Sequence, residues 1–268
     1  MTARPKMRLT ILGCGSSGGN PRVGNDWGKS DPTNPKNRRR RASALVDRIS
    51  PNGSTVVLID TGPDMREQLL GVRATHLDAV LYTHEHADHA HGIDDLRGFA
   101  YAMKRRVPVW FDGPTRASLT TKFGYCFETP AGSNYPAILT PHDINHNQLI
   151  TVDGPGGPMT ALPIPQDHGD TISLGFRFGN VAYSPDISGL PDASVPLLQG
   201  LDVWIVDALR YMPHPSHWSV KQTLSWVERL QPKRTIFTHM LGDLDYDTLR
   251  RELPDGVEPA YDGLVVEF

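Results

Sequence analysis

The run His84-Glu85-His86-Ala87-Asp88-His89 restricts this chain more than any other segment, because it follows directly on the apolar stretch Ala79-Val80-Leu81-Tyr82-Thr83. Imidazoles and carboxylates are the ligands of borderline divalent ions such as zinc and manganese. Four of them within six residues are too many for one ion that keeps an open position. The run therefore predicts a two-metal centre. If residues 79–83 form a buried strand, His84 stands at its carboxyl end, where α/β proteins bind their ligands. A polar turn with incidental histidines is the competing reading.

Other strand-like segments also end at a metal-type side chain. Upstream, Thr55-Val56-Val57-Leu58-Ile59 runs into Asp60. Downstream come Gln166-Asp167-His168, then Val181-Ala182-Tyr183-Ser184-Pro185-Asp186, then Thr235-Ile236-Phe237-Thr238-His239. Taken singly, His168 or Asp186 reads as a loop residue; the complete ordered set carries the argument.

In this order the motif and its companions resemble the metallo-β-lactamase-fold hydrolases. The resemblance implies that His84, His86 and His168 hold one ion and that Asp88, His89 and His239 hold the second. Asp186 and a water or hydroxide would be shared between the two. Asp60 would orient ligands from behind, and Asp88 counts both as a ligand and as a catalytic group. The implied fold is the α/β αββα sandwich, two mixed β-sheets face to face with helices outside. Zinc, manganese and iron all suit this donor set.

The patterning fits that architecture. Residues 7–12, 43–47, 55–59, 79–83, 107–111, 173–178, 181–184, 202–207, 234–238 and 264–268 read as strands. Helical spacing is clearest in 64–70, 93–104, 115–123, 219–230 and 246–251. A length of 268 residues with 38% hydrophobic content suits one domain spanning 1–268. The net charge is −3, and apart from Arg38 to Arg41 the two signs are well mixed, which argues against a nucleic-acid-coating or membrane-surface protein. No apolar stretch reaches about 18 residues, Met1 to Lys6 shows no leader pattern, and Cys14 and Cys126 cannot build a disulfide framework. A cytoplasmic protein is expected.

Three irregular stretches stand out: 13–37, 128–148 and 153–158. The first is too long for a plain connector and is expected to wall the substrate pocket. Within it, Gly15-Ser16-Ser17-Gly18-Gly19 either offers backbone N–H groups to a phosphate or, the favoured reading, is glycine-rich for steric reasons. Arg38 to Arg41 reads as a solvated basic run.

Two metals of this kind imply hydrolysis without fixing the bond broken. Discrimination comes from His214-Pro215-Ser216-His217-Trp218-Ser219. Ser219 and Gln222 form an S-x-x-Q capping box, so His217 sits just outside a helix amino terminus, a position that favours anions. His217 is expected to be a catalytic general acid rather than a metal ligand. This segment is similar to the histidine-bearing loop of phosphodiesterases in the superfamily. Asp207, after Val203-Trp204-Ile205-Val206, is expected to order a ligand or loop. His76, His91, His142, His146 and His214 are not expected to bind metal.

Over essentially the whole chain the sequence resembles the phosphoribosyl 1,2-cyclic phosphate phosphodiesterases associated with phosphonate breakdown, from Leu9-Thr10-Ile11-Leu12-Gly13-Cys14-Gly15-Ser16 to Thr238-His239. Members of that group can carry a cysteine-rich loop holding a structural zinc. Residues 20–37 contain no cysteine, so no third zinc is expected. The implied activity is dinuclear hydrolysis of a small cyclic phosphate or nucleotide-like phosphodiester to a phosphomonoester. Rivals are a tRNA 3′-end endonuclease, for which no gripping arm is evident, a lactone or thioester hydrolase, and an inactive scaffold, which would have lost ligands. The expected partner is the small substrate alone, without membrane or stable nucleic acid, and with a homodimer left open.

Overall fold

A computed structural model describes residues 6–146 and 148–268. Met1 to Pro5, most of the segment read for a leader, and Asn147, inside the 128–148 stretch, lie outside the described residues. Two seven-stranded sheets carry the molecule. The first contains β1 (Lys6–Gly13), β2 (Ser43–Ser50), β3 (Gly53–Ile59), β4 (Ala79–Leu81), β5 (Val107–Phe111), β6 (Leu139–Asp143) and β14 (Val265–Glu267), in the order β14-β1-β2-β3-β4-β5-β6. The second contains β7 (Ile150–Val152), β8 (Met159–His168), β9 (Thr171–Phe178), β10 (Val181–Ser184), β11 (Val203–Asp207), β12 (Arg234–Thr238) and β13 (Val257–Pro259), in the order β13-β12-β11-β10-β9-β8-β7. Each sheet is antiparallel on one side and parallel from β3 to β6 or from β10 to β13 on the other. The expected αββα sandwich of two mixed sheets is what forms.

Period-two alternation in β3 shows how the layers are made. Val57 and Ile59 point between the sheets, against residues such as Leu174, Phe176 and Ile205, whereas Val56 and Leu58 point outward to the helices. The helices are α1 (Met65–Gly71), α2 (Ala87–Ala90), α3 (Arg97–Met103), α4 (Gly113–Phe127), α5 (Val220–Leu230) and α6 (Tyr246–Glu252). Leu69, Ile93, Leu96 and Leu119 cover the outer face of the first sheet, while Trp226 and Val227 of α5 pack against the core of the second. Residues 93–104 are not one α-helix: Ile93–Leu96 is a 3₁₀ turn, and Lys104 closes α3 in a left-handed conformation.

Four strands have no counterpart in the periodicity: β6, β7, β8 and β13. Prolines mask three of them, with Pro141 in β6, Pro163 and Pro165 in β8, and Pro259 in β13. A proline cannot donate to a ladder, so it belongs at a sheet edge. β6 and β13 are edge strands, and β7 pairs with β8 only along Met159–Ala161, leaving Pro163 and Pro165 on an open side.

Of the run Arg38 to Arg41, only Arg38 is exposed as the solvated reading expects; the other three are engaged by the protein. Arg39 is 2% exposed and donates to the carbonyls of Leu241 and Leu244 and to Asn37 Oδ1. Arg40 pairs with Asp262 at 3.0 Å and Arg41 with Asp64 at 2.9 Å. Buried Asn37 donates to Asp31 O and Asp245 Oδ2 and accepts from Tyr246 N. This network fastens the 13–37 loop to the segment after His239, which is also bonded through Ser16 N to Met240 O, Met240 N to Cys14 O, and Lys29 N to Gly242 O. The amides of Gly15, Ser16 and Gly19 are all spent on protein carbonyls, and a Cβ at Gly15 would come within 2.9 Å of Arg39 O. At Gly15 the close approach of Arg39 O supplies a steric reason for the glycine.

No helix among the described residues is long and apolar enough to cross a membrane.

Candidate metal centre

Asp60 follows β3, His84 follows β4, His168 ends β8, Asp186 follows β10, Asp207 ends β11 and His239 follows β12. All lie along one edge of the sandwich. His86, Asp88 and His89 join them because the chain turns into α2 immediately after His86. Two glycines allow that turn to seat closely: a Cβ at Gly62 would lie 2.2 Å from Asp88 O, and one at Gly92 would lie 2.2 Å from Gly62 O.

The seven side chains converge as two sets. In the first, His84 Nε2 lies 2.9 Å from His86 Nδ1, which lies 3.2 Å from His168 Nε2. Asp186 Oδ2 is 3.8 Å from His84 Nε2 and 3.6 Å from His168 Nε2. In the second, His89 Nε2 is 3.3 Å from Asp88 Oδ2 and 3.1 Å from Asp186 Oδ1. His239 Nε2 is 3.5 Å and 3.3 Å from the same two oxygens. Asp186 thus presents one oxygen to each set. His89 Nε2, Asp186 Oδ1 and His239 Nε2 are buried without a protein hydrogen-bond partner. Buried polar atoms are otherwise almost always paired, and donors about 2.0–2.2 Å from a shared ion are spaced from one another much as these are. The residues fit a pair of divalent ions, each with nitrogen and oxygen donors.

Behind the donors stands a layer of orienting bonds. Asp60 accepts from Thr83 N and Thr83 Oγ1, each at 2.8 Å, and from His89 Nδ1 at 2.7 Å. Thr83 Oγ1 in turn accepts from His84 Nδ1 at 3.0 Å. One carboxylate therefore fixes the ring of a donor in each set and leaves both Nε2 atoms facing inward. His168 Nδ1 donates to Ser216 O at 2.7 Å. Asp207 Oδ2 accepts from His217 Nδ1 at 2.7 Å and from Ile187 N at 3.2 Å. That directs His217 Nε2 at the centre, 3.9 Å from Asp186 Oδ2, with its ring stacked on His239 at 4.7 Å. The capping box of α5 forms as the sequence predicts, with Ser219 accepting from Gln222 N and Gln222 Oε1 accepting from Ser219 N.

Burial pulls His84 well below the usual imidazole range, reinforced by neighbouring His89, and takes His168 down to about 4. Burial also lowers His217, against the pull of Asp186. His89 goes the other way: burial opposes its charge, but Asp186, Asp88 and Asp60 together hold its proton well above the usual range. Burial works against ionised Asp186 and Asp88 as well, yet the surrounding imidazoles keep both well below ordinary carboxylates. Asp60 and Asp207 are raised by burial.

Every residue named from the sequence for this centre is thus brought together. His76, His91, His142, His146 and His214 stand outside both sets: His76 contacts Ser54 O, His91 packs on Phe123, and His142 stacks on Trp110. Two groups escaped notice, Thr83 and the carbonyl of Ser216. Only the position of Thr83 directly before the first histidine offered a signal.

Comparison with known proteins agrees with this geometry. The β-lactamase superfamily domain model matches residues 55–240. A solved structure of a new diphosphatase from the PhnP family is 38% identical, covers 98% of this chain and 97% of its own, and superposes with a TM-score of 0.88. Coenzyme PQQ synthesis protein B of Xanthomonas oryzae pv. oryzae is 31% identical over 97% of this chain and 99% of its own length. An octanoyltransferase of Porphyromonas gingivalis is 28% identical over 96% of this chain, which spans only 51% of that protein. The chain belongs to the β-lactamase superfamily, as a metal-dependent hydrolase of the metallo-β-lactamase fold that is similar over nearly its whole length to a PhnP-family enzyme.

Proposed function

We propose that this chain is a dinuclear phosphodiesterase that hydrolyses a small cyclic phosphate or nucleotide-like diester to a phosphomonoester. His84, His86 and His168 would hold one zinc or manganese ion, Asp88, His89 and His239 the other, with Asp186 bridging. Such a pair supplies an activated water and neutralises charge on the phosphoryl oxygens. Asp88, kept ionised by its imidazole neighbours, is an acceptor for a proton of the attacking water.

The observation that carries the reading is His217. It is buried, held by Asp207 at 2.7 Å, and aimed at the donor sets without belonging to either of the two that share Asp186. A histidine fixed in that way is placed to give a proton to a departing oxygen. The bond from Nδ1 to Asp207 fixes the ring, Asp186 opposes the burial that disfavours its protonated form, and the capped start of α5 favours the anion beside it. The likeness to a diphosphatase supports chemistry at phosphorus.

The test is a substrate panel for the metal-loaded protein: ribose cyclic phosphates, 2′,3′-cyclic nucleotides, aryl phosphodiesters and lactones. Turnover confined to the lactones sinks the proposal. His217→Ala is expected to retain both ions and to lose about 10²–10⁴-fold on alkyl or ribosyl esters. Its loss on a nitrophenyl ester should be much smaller, because that leaving group needs no proton. Equal loss on both removes the general-acid role.

A further inference from the structure

Beyond His217, one more imidazole lies beside it on the same loop. His214 is partly exposed, and its ring lies 5.2 Å from that of His217, on a loop of which no residue belongs to the two sets that share Asp186. Its Nδ1 accepts from Ser216 N at 3.3 Å and lies 3.2 Å from Ser216 Oγ. An imidazole that accepts at Nδ1 carries its hydrogen on Nε2. His214 therefore offers an N–H donor that no residue among those described accepts.

Arg210 sets the position of that donor. Its Nε donates to Met212 O at 3.1 Å and its guanidinium nitrogen to Pro213 O at 2.6 Å, closing the turn that presents His214 and leaving a fixed positive charge beside it. The far side of the loop is tied down by the bond from His168 to Ser216 O.

We propose that His214, positioned by Arg210, recognises an anionic leaving group, so that the preferred substrates are diphosphates whose distal phosphoryl group accepts from His214 Nε2. The inference rests on the phosphodiesterase reading above. A general acid stands at the leaving oxygen, so the atoms beyond that oxygen meet the next side chain outward, and that side chain is His214. In the reaction, water oxygen bonds to the phosphorus at the donor sets and the bridging P–O bond breaks. His217 protonates the released oxygen, giving a phosphomonoester and inorganic phosphate. No oxidant or further reactant is needed.

The experiment compares a nucleoside 5′-diphosphate with the 5′-(methyl phosphate) diester of the same nucleoside, using metal-loaded wild type, His214→Ala and His214→Asn. Wild type should prefer the diphosphate. In His214→Ala the ratio of kcat/KM for diphosphate over methyl diester should fall about tenfold or more, as expected for loss of a hydrogen bond to a charged group. The asparagine variant, which keeps an N–H donor, should recover part of it. Equal losses on both substrates, no preference in wild type, or loss of metal from either variant would overturn the inference. Failure of wild type to hydrolyse either compound, together with failure on the cyclic phosphates, would instead refute the phosphodiesterase reading.

Discussion

Asp60, Asp186 and His239 share a backbone oddity: their φ angles are 64°, 40° and 56°, in the left-handed region that non-glycine residues avoid. Each comes within two residues of a strand end, where the chain must reverse at once if its side chain is to stay on the rim. The conformation costs roughly 1–2 kcal/mol per residue, and the donor geometry offsets it. Asp186 makes the cost measurable. Asp186→Ala should strip both ions and nearly all hydrolysis, because one oxygen serves each set; elemental analysis showing two tightly bound ions would move the bridge to Asp207. In the metal-free protein, Asp186→Gly should be more stable than Asp186→Ala by about 1 kcal/mol, since only the alanine keeps a Cβ at that φ. Chemical denaturation of the two variants decides it.

Among the elements, the 13–37 loop and the arginines that fasten it show what sequence patterning hides. Charged runs are usually exposed, and the carbonyls that receive Arg39 lie 202 and 205 residues away, beyond any local pattern. His84, Asp186 and His239 were legible for the opposite reason: each follows a strand whose apolar, β-branched character is local, whereas His168, at the end of proline-bearing β8, was legible only as a member of the ordered set. The proline-bearing edge strands fell between these cases, because proline signals a break whether the strand ends or merely has a free side. Arg39→Met should cost about 1–3 kcal/mol by leaving the buried Leu244 carbonyl without a donor and the Leu241 carbonyl with Leu244 N alone. Because those carbonyls belong to the turn after His239, the variant should also bind the second ion more weakly than the first. Unchanged stability together with unchanged metal content would show that the network is dispensable.

For the molecule as a whole, the two donor sets differ in how they meet protons. Burial frees the lone pairs of His84 and His168 on the acidic side, the latter down to about 4, whereas His89 must give up a proton that three carboxylates retain. Metal loading should therefore be stepwise in a titration upward from about pH 6, the set with His84 and His168 filling before the set with His89, with a proton released at the second step. Simultaneous filling across that range would contradict it. Without metal the signs follow by linkage. The stability that His84 and His168 contribute is lost as pH falls below about 6.5, because the unfolded chain takes up protons first; that of His89 is complete below about 6.5 and lost as pH rises through its raised value. The first sheet supplies His84, His86, Asp88 and His89, and the second supplies His168, Asp186 and His239. Each set draws donors from both layers, so an ion held by either would act as a rivet through the seam. A substitution far from any donor, such as Phe176→Ala in the core between the sheets, should therefore loosen metal retention in a chelator competition even where the fold survives. Metal affinity in this protein would then be a gauge of how tightly its two layers close.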